Sequence, residues 1–249
     1  MIKKMISKLS VVMLLIFGLI MFFYPILINT SNMFGNMGDV RFITYVLEHF
    51  YKWITHQGLH TSFWDMPFFY PYKNTLAFSD VMLGGIPFYI PFRIFGISPF
   101  GAIQGCSVLV QILNFIAFYF LMKKTFKFED WISGAAAFLF TFALPRHNQF
   151  MHVQLLFQFF MVFAILAFSN INIENSNLKN HFLFLITSLM FVLQIYTCFY
   201  YGWFMVFGGI LALIIGLCFK NSRDKIIEFV KIFNKKIIIY VIITFLLLL

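Results

Sequence analysis

The side chains able to do chemistry are few, and they fall into three separate stretches of the chain. The first stretch supplies carboxylates, the second an arginine and imidazoles, and the third phenols: Asp39, Asp65 and Asp80; Arg146, His147 and His152; Tyr196, Tyr200 and Tyr201. Together such groups offer acid–base chemistry, hydrogen bonding and charge stabilisation, provided that they meet in one place. The elements that carry the three stretches therefore decide whether an active site can form.

The composition places those elements in a lipid bilayer. Of the 249 residues 61% are hydrophobic and 11% are charged, and the mean hydropathy is +0.89, whereas a soluble domain carries about 25% charged residues. Apolar runs predict spans at residues 9–29, 99–122, 131–145 and 153–170, and two more within 182–219, which break at 196–202. A last run, 237–249, is too short to cross. We therefore expect an all-α, polytopic helical membrane protein with about six complete spans plus a truncated seventh. Residues 1–249 are expected to form a single transmembrane domain, the N-terminal part of a longer protein.

The basic residues predict the orientation of these spans. If residues 81–96 lie at the interface without crossing, 13 of the 18 Lys and Arg residues are cytoplasmic and 5 are external, which agrees with the positive-inside rule. The net charge of +9 then records topology, and nucleic acid is not an expected partner. We expect a multi-pass protein of the plasma (inner) membrane with a cytoplasmic N-terminus and all three polar stretches outside. Residues 219–234 predict a basic surface helix.

The first external loop, residues 30–98, is far longer than an ordinary connection between packed helices. Within it, residues 40–55 predict an amphipathic helix at the interface. The apolar face consists of Ile43, Val46, Leu47, Phe50 and Ile54. The polar face consists of Arg41, Thr44, Glu48, Lys52 and Thr55. Asp39 stands at the start of this helix, where a carboxylate can cap free N–H groups. A cap and a chemical role are both open for Asp39 on this pattern.

The spacing of the histidines argues against a zinc site. His49 and His56 lie two helical turns, roughly 10 Å, apart, and His147 and His152 point about 140° apart around a helix. An oxygen-ligated Mg²⁺ or Mn²⁺, held partly by Asp39 and a lipid phosphate, remains open. The chain has no glycine-rich nucleotide loop, so chemistry driven by a soluble nucleotide is not expected.

The order of these features resembles the N-terminal half of the GT-C superfamily, the polytopic glycosyltransferases that use polyprenyl-phosphate sugars. The shared features are a first anchor, Gly38-Asp39 opening an amphipathic helix, a returning loop rich in Phe, Tyr and Pro, and a span that ends in Lys123-Lys124. Three further segments are similar to those of bacterial members: Asp65 through Asn74 to Asp80 and Gly84, His147 to Leu156, and the turn Tyr200-Tyr201-Gly202. The resemblance covers most of residues 9–219.

This resemblance implies transfer of a hexosyl or pentosyl unit from a polyprenyl-phosphate carrier to an envelope acceptor at the extracytoplasmic face. It places the general base on Asp39. A leaving phosphate also needs positive charge nearby, for which Arg146 and Arg93 are the candidates. His147 and His152 are candidates for orienting the phosphate or the acceptor. Further candidate substrate-binding residues are Asp80, Asp65 and Tyr200.

Two other functions stay open. A membrane transporter or flippase would use polar groups inside the spans, where Gln111, Asn114 and Gln194 are the main candidates. A non-catalytic GT-C-like protein of envelope assembly would keep the fold without the reaction. Uptake without a covalent product would favour the first, and normal glycans in a deletion strain would favour the second.

Overall fold

A computed structural model describes residues 2–28, 38–172 and 177–246, and these form helices and turns without a strand. Part of the predicted loop 30–98 and the ends of two predicted runs, Asn29 and residues 247–249, lie outside the described residues. The helices are α1 Ile2–Ile28, α2 Asp39–Ile54, α3 Ile86–Ile94, α4 Pro99–Lys124, α5 Asp130–Phe142, α6 Leu144–His147, α7 Phe159–Ser169, α8 Leu178–Thr197, α9 Phe199–Cys218 and α10 Lys220–Leu246. Four short 3₁₀ turns join them, at Thr75–Phe78, Leu83–Gly85, Asn148–Met151 and Val153–Leu156.

Four of the described helices are long and apolar enough to cross a membrane, by length and composition. They are Met5–Ile28 within α1, then α4, α8 and α9. The sequence prediction that residues 182–219 form two helices is confirmed, with the break at Cys198. The protein is therefore an all-helical membrane protein.

Two of the predicted spans are shorter than the sequence suggests. α5 has 13 residues and α7 has 11, which gives lengths of about 20 and 17 Å, well below the ~30 Å of a hydrocarbon core. The predicted apolar run at residues 153–170 begins with a 3₁₀ turn at Val153–Leu156, and its α-helix starts only at Phe159. Residues 143–158, called the turn segment below, separate α5 from α7.

The long helix α4 is the centre of the bundle, and it contacts α1, α2, α3, α5 and α7. Small residues allow this close packing. A Cβ on Gly105 of α4 would lie 2.6 Å from the Phe92 ring of α3. Likewise, a Cβ on Gly134 of α5 would lie 2.9 Å from Val11 of α1. Because lipid supplies no hydrophobic force between helices, such close contacts carry much of the packing.

The C-terminal helix differs from its prediction. The sequence predicts a surface helix at residues 219–234 and, separately, the start of a truncated span at residue 237. The structure instead has one continuous helix, α10, from Lys220 to Leu246. It packs on α8 through Phe229 and Tyr240, whose ring centroids lie 5.7 and 4.8 Å from that of Phe184. The basic segment 220–231 and the apolar residues that follow it thus belong to one helix.

Helix α2 is more deeply buried than an interfacial helix would be. Four of the five residues predicted for its apolar face are almost inaccessible: Ile43, Val46, Leu47 and Phe50. The fifth, Ile54 at the end of the helix, is 48% exposed, so the prediction is wrong there. The polar face is partly wrong, because Thr44 is 3% and Glu48 7% exposed. Helix α3 packs on α2 and supplies partners for these groups, which periodicity within α2 alone could not reveal.

Candidate functional site

Helix α2 brings Asp39 to the turn segment. Asp39 is the first residue of α2, and Gly38 holds the N-cap position without a side-chain cap. The Asp39 carboxylate lies 2.5 Å from Nδ1 of His152, which precedes the 3₁₀ turn Val153–Leu156. Both side chains keep about half of their surface, 50% and 41%, open to solvent. Two residues singled out from sequence are thus in direct contact, and a ligand can reach both.

The arrangement of this pair has a definite chemistry. An imidazole that donates from Nδ1 to a carboxylate fixes its ring and turns Nε2 in the opposite direction. The Asp39–His152 pair can therefore accept a proton at the carboxylate or at the imidazole, and each group positions the other. Such a pair fits acid–base work better than a cap alone.

Arg146 extends from the one-turn helix α6 into the bundle. Its Nη2 lies 3.4 Å from Oε1 of Gln111 and 3.5 Å from the carbonyl of Leu156, and the guanidinium lies 5.3 Å from the centroid of the Phe140 ring. Nε and Nη1 are buried without a hydrogen-bond partner among the described residues. Burial lowers the pKa of Arg146 to about 10, while Tyr201 opposes the shift. In the part of the chain that the structure describes, no carboxylate pairs with this arginine, so its positive charge is available to an anion.

The other cation considered for a phosphate, Arg93, is already neutralised. Its Nε and Nη2 donate to the two carboxylate oxygens of Glu48, at 2.7 and 3.0 Å, and Tyr89 donates to the same carboxylate at 2.9 Å. The guanidinium also lies 4.8 Å from the centre of the Tyr51 ring. Arg93 therefore joins α3 to α2, and Arg146 is the better candidate for binding an anion.

Side chains from three helices hold the turn segment in place. The amide of Asn114 donates to the Leu156 carbonyl at 2.7 Å, and Gln194 donates to the Phe157 carbonyl at 2.9 Å. The Tyr201 hydroxyl donates to Leu155 at 3.1 Å. Leu156 and Phe157 are fully buried, so their carbonyls need such partners in place of water.

These contacts give the amides inside the predicted spans a structural task. Gln111 accepts from Asn114 at 2.7 Å, and Gln194 also accepts from the Met161 amide at 3.0 Å. From the sequence alone, these three amides, Gln111, Asn114 and Gln194, are candidates only for a transport function. The available signal was the Pro145 break near amide-bearing helices, since a broken helix leaves backbone groups to be satisfied.

Asp80 and Tyr200 meet in a separate cavity of about 500 Å³ beside the junction of α8 and α9. Asp80 Oδ1 accepts from the Phe199 amide at 2.8 Å, at the first turn of α9. Burial raises the pKa of Asp80, and this hydrogen bond partly opposes the rise. The two residues share a site, but it is not the one formed by Asp39 and His152.

Two further candidates have structural contacts. Asp65 accepts from the backbone amide of Asn74 at 2.6 Å, and Asn74 adopts a left-handed backbone with φ 55°. Asp65 thus stabilises a tight turn. The ring of His147 packs edge-on against Phe22 and Phe150, at centroid distances of 5.3 and 5.1 Å. The side chain of Gln149, in the same stretch, lies outside the described residues.

The histidines form a pair that the sequence did not suggest. His49 Nε2 lies 3.0 Å from the Phe63 carbonyl, and its Nδ1 lies 2.8 Å from Nδ1 of His60. His49 therefore donates to Phe63 and accepts from His60, so the His49 ring is neutral in this arrangement. Burial lowers the pKa of each.

A metal ion has limited support among the side chains. Across residues 2–28, 38–172 and 177–246, no three His, Cys, Asp or Glu side chains converge. A Mg²⁺ or Mn²⁺ at Asp39 would take most of its oxygen ligands from phosphate and water, which is a common arrangement for Mg²⁺.

In comparisons with family models, with curated proteins and with solved structures, the chain matches none.

Proposed function

We propose that the chain is a membrane glycosyltransferase, or a fragment of one, that moves a sugar from a polyprenyl-phosphate carrier to an envelope acceptor. In this proposal the protein lies in the plasma membrane with its N-terminus in the cytoplasm. The four long helices cross the bilayer, the shorter α5 and α7 form the remaining pair of passes, and residues 30–98 and the turn segment face outside. The observation that carries the proposal is the Asp39–His152 pair, because it places a carboxylate and an imidazole together on an exposed surface.

The proposed reaction uses the chain's own groups for both charge changes. The acceptor oxygen or nitrogen forms a bond to the anomeric carbon, and the bond from that carbon to the phosphate oxygen breaks. The acceptor proton passes to Asp39, which His152 holds in position. The leaving phosphate keeps the bonding electron pair, and the half-buried Arg146 stabilises its negative charge.

The location of Arg146 supports this division of labour. Arg146 and His152 both belong to the turn segment, and Leu156 at its far end lies within 3.5 Å of Arg146 Nη2. One rigidly held segment thus carries a group for the anion and a group for the acid–base pair. Rigid placement of both is what a reaction with a short approach distance requires.

The test is sugar transfer by the purified full chain in proteoliposomes supplied with a radiolabelled polyprenyl-phosphate sugar. We expect Asp39→Asn to lower kcat by about 10²–10⁴-fold, the usual contribution of a general base. We expect Arg146→Gln to lower kcat/KM. Asp65→Asn is the matched control, because Asp65 holds a turn in the same loop. Transfer that survives Asp39→Asn unchanged refutes Asp39 as the base, and uptake of the lipid without any covalent product favours a transporter.

A further inference from the structure

The cavity beside the α8–α9 junction combines aromatic rings with a single carboxylate. It encloses about 500 Å³, within the usual range for small-molecule sites. Its aromatic lining comes from the loop before α3 and from both helices: Trp64, Phe78, Tyr196, Phe199 and Tyr200. Trp64 and Tyr200 keep 36% and 58% of their surface exposed, so these rings are accessible to a ligand.

Asp80 is the charged group of this cavity. One oxygen accepts from the Phe199 amide at 2.8 Å, which fixes the carboxylate at the start of α9. Among the described residues that line the cavity there is no lysine, arginine or histidine. The Asp80 charge is therefore balanced only by one backbone N–H and the positive end of α9.

Burial around Asp80 already works against its charge. The pKa of the carboxyl is raised from its usual value because desolvation outweighs the Phe199 hydrogen bond. A neutral ligand that fills the cavity removes more water and increases this penalty. A cationic ligand does the opposite, because it pairs with the carboxylate as the water leaves.

We propose that this cavity binds the ammonium group of a ligand, either a free alkylammonium compound or the amine headgroup of a lipid. The faces of Trp and Tyr attract a cation through the ring quadrupole, and aromatic cages are the usual sites for quaternary ammonium groups. Asp80 supplies the opposite charge, and Trp64 and Tyr200 are partly exposed rings in the cavity lining. This site is additional to the proposed sugar transfer and does not depend on it.

The experiment compares a cation with its uncharged isostere. Isothermal titration of the full chain in phosphatidylglycerol nanodiscs uses choline and 3,3-dimethylbutan-1-ol, which have the same shape and differ in charge. We expect choline to bind about 30-fold more tightly, the effect of a desolvated cation–π contact. Equal binding of the two, or binding of glucose but not of choline, overturns the proposal.

Variants separate the charge from the shape of the cavity. Asp80→Asn keeps an oxygen that accepts from the Phe199 amide and removes the charge, so choline affinity should fall at least about tenfold while the isostere is unaffected. Tyr200→Leu should weaken choline binding, and Tyr200→Phe should keep it. Asp65→Asn is the control, because Asp65 does not line the cavity. Choline affinity that is unchanged in Asp80→Asn refutes the role of the carboxylate.

A second arm identifies the source of the ammonium group. Nanodiscs made with phosphatidylethanolamine supply a lipid amine at the membrane surface. Weaker apparent choline binding in these discs assigns the cavity to a lipid headgroup, and unchanged binding assigns it to a free ligand. Since sugar transfer is not measured, failure of this site and failure of the proposed enzyme function give separate results.

Discussion

The ion pair between Glu48 and Arg93 offers the sharpest test of the division between structural and functional cations. Glu48 uses both carboxylate oxygens, and three donors from Arg93 and Tyr89 reach them at 2.7–3.0 Å. The Glu48 side chain is 9% and the Arg93 side chain 16% exposed. Solvent therefore does little to replace a lost partner of Glu48. Arg93→Ala leaves the Glu48 charge buried against Tyr89.

The expected cost follows from that geometry. Removing one partner of a buried pair costs about 3–5 kcal/mol, and the remaining exposure of Arg93 places this pair near the lower value. About 3 kcal/mol corresponds to a fall in Tm of roughly 6–12 °C for a chain of this size. The double variant, Glu48→Gln with Arg93→Met, removes both charges and should recover much of that loss.

Thermal unfolding of the detergent-solubilised chain measures these changes, with sugar transfer measured in parallel. We expect Arg93→Ala to lower Tm and the double variant to retain transfer in proportion to its folded fraction. The matched variant Arg146→Ala should leave the Glu48–Arg93 contact intact. If Arg93→Ala keeps the wild-type Tm and loses transfer, Arg93 binds substrate and the reasoning from its contacts is wrong.

Three further outcomes follow from buried contacts, each measured by the same thermal unfolding. Burial lowers the pKa values of His49 and His60 in the folded state. The stability that this pair contributes is therefore present above about pH 6.5 and is lost as the pH falls through the folded pKa values. His60→Gln should reduce this dependence of Tm on pH, and an unchanged pH profile would contradict the contact between the two rings. Asn114→Leu leaves a buried carbonyl of the turn segment without its donor and should cost about 1–3 kcal/mol; no loss would mean that the carbonyl finds another donor. Gly84→Ala places a methyl group 2.2 Å from the Thr197 hydroxyl of α8 and should cost about 1–3 kcal/mol of stability. A methyl group at Gly208 meets no described atom within 4 Å, so Gly208→Ala should be neutral or stabilising. Equal effects of the two variants would argue against the close contact between Gly84 and α8.

The sequence predicts the long helices well, because a run of twenty apolar residues has few alternatives in a protein. It also predicts α2, since Ile43, Leu47 and Phe50 recur at helical spacing and are buried as expected. The buried Glu48 is different. Its partner lies 45 positions later in the chain, and no local pattern can predict a contact made by another helix.

The same reason limits the prediction of the site. The types of Asp39 and His152 identified them as candidates, but their contact depends on how α2 meets the turn segment. Asp80 and Tyr200 were grouped with them because all were expected on one side of the membrane. A shared side does not make a shared site, and the structure places Asp80 and Tyr200 in a different cavity.

The turn segment explains why polar chemistry is available in so apolar a chain. Short helices α5 and α7 leave backbone groups without helical partners, and Asn114, Gln194 and Tyr201 satisfy part of them. These side chains stabilise a non-helical path that carries Arg146 inward and His152 outward to Asp39. The interrupted span thus presents, from one segment, both a half-buried cation and an exposed acid–base pair.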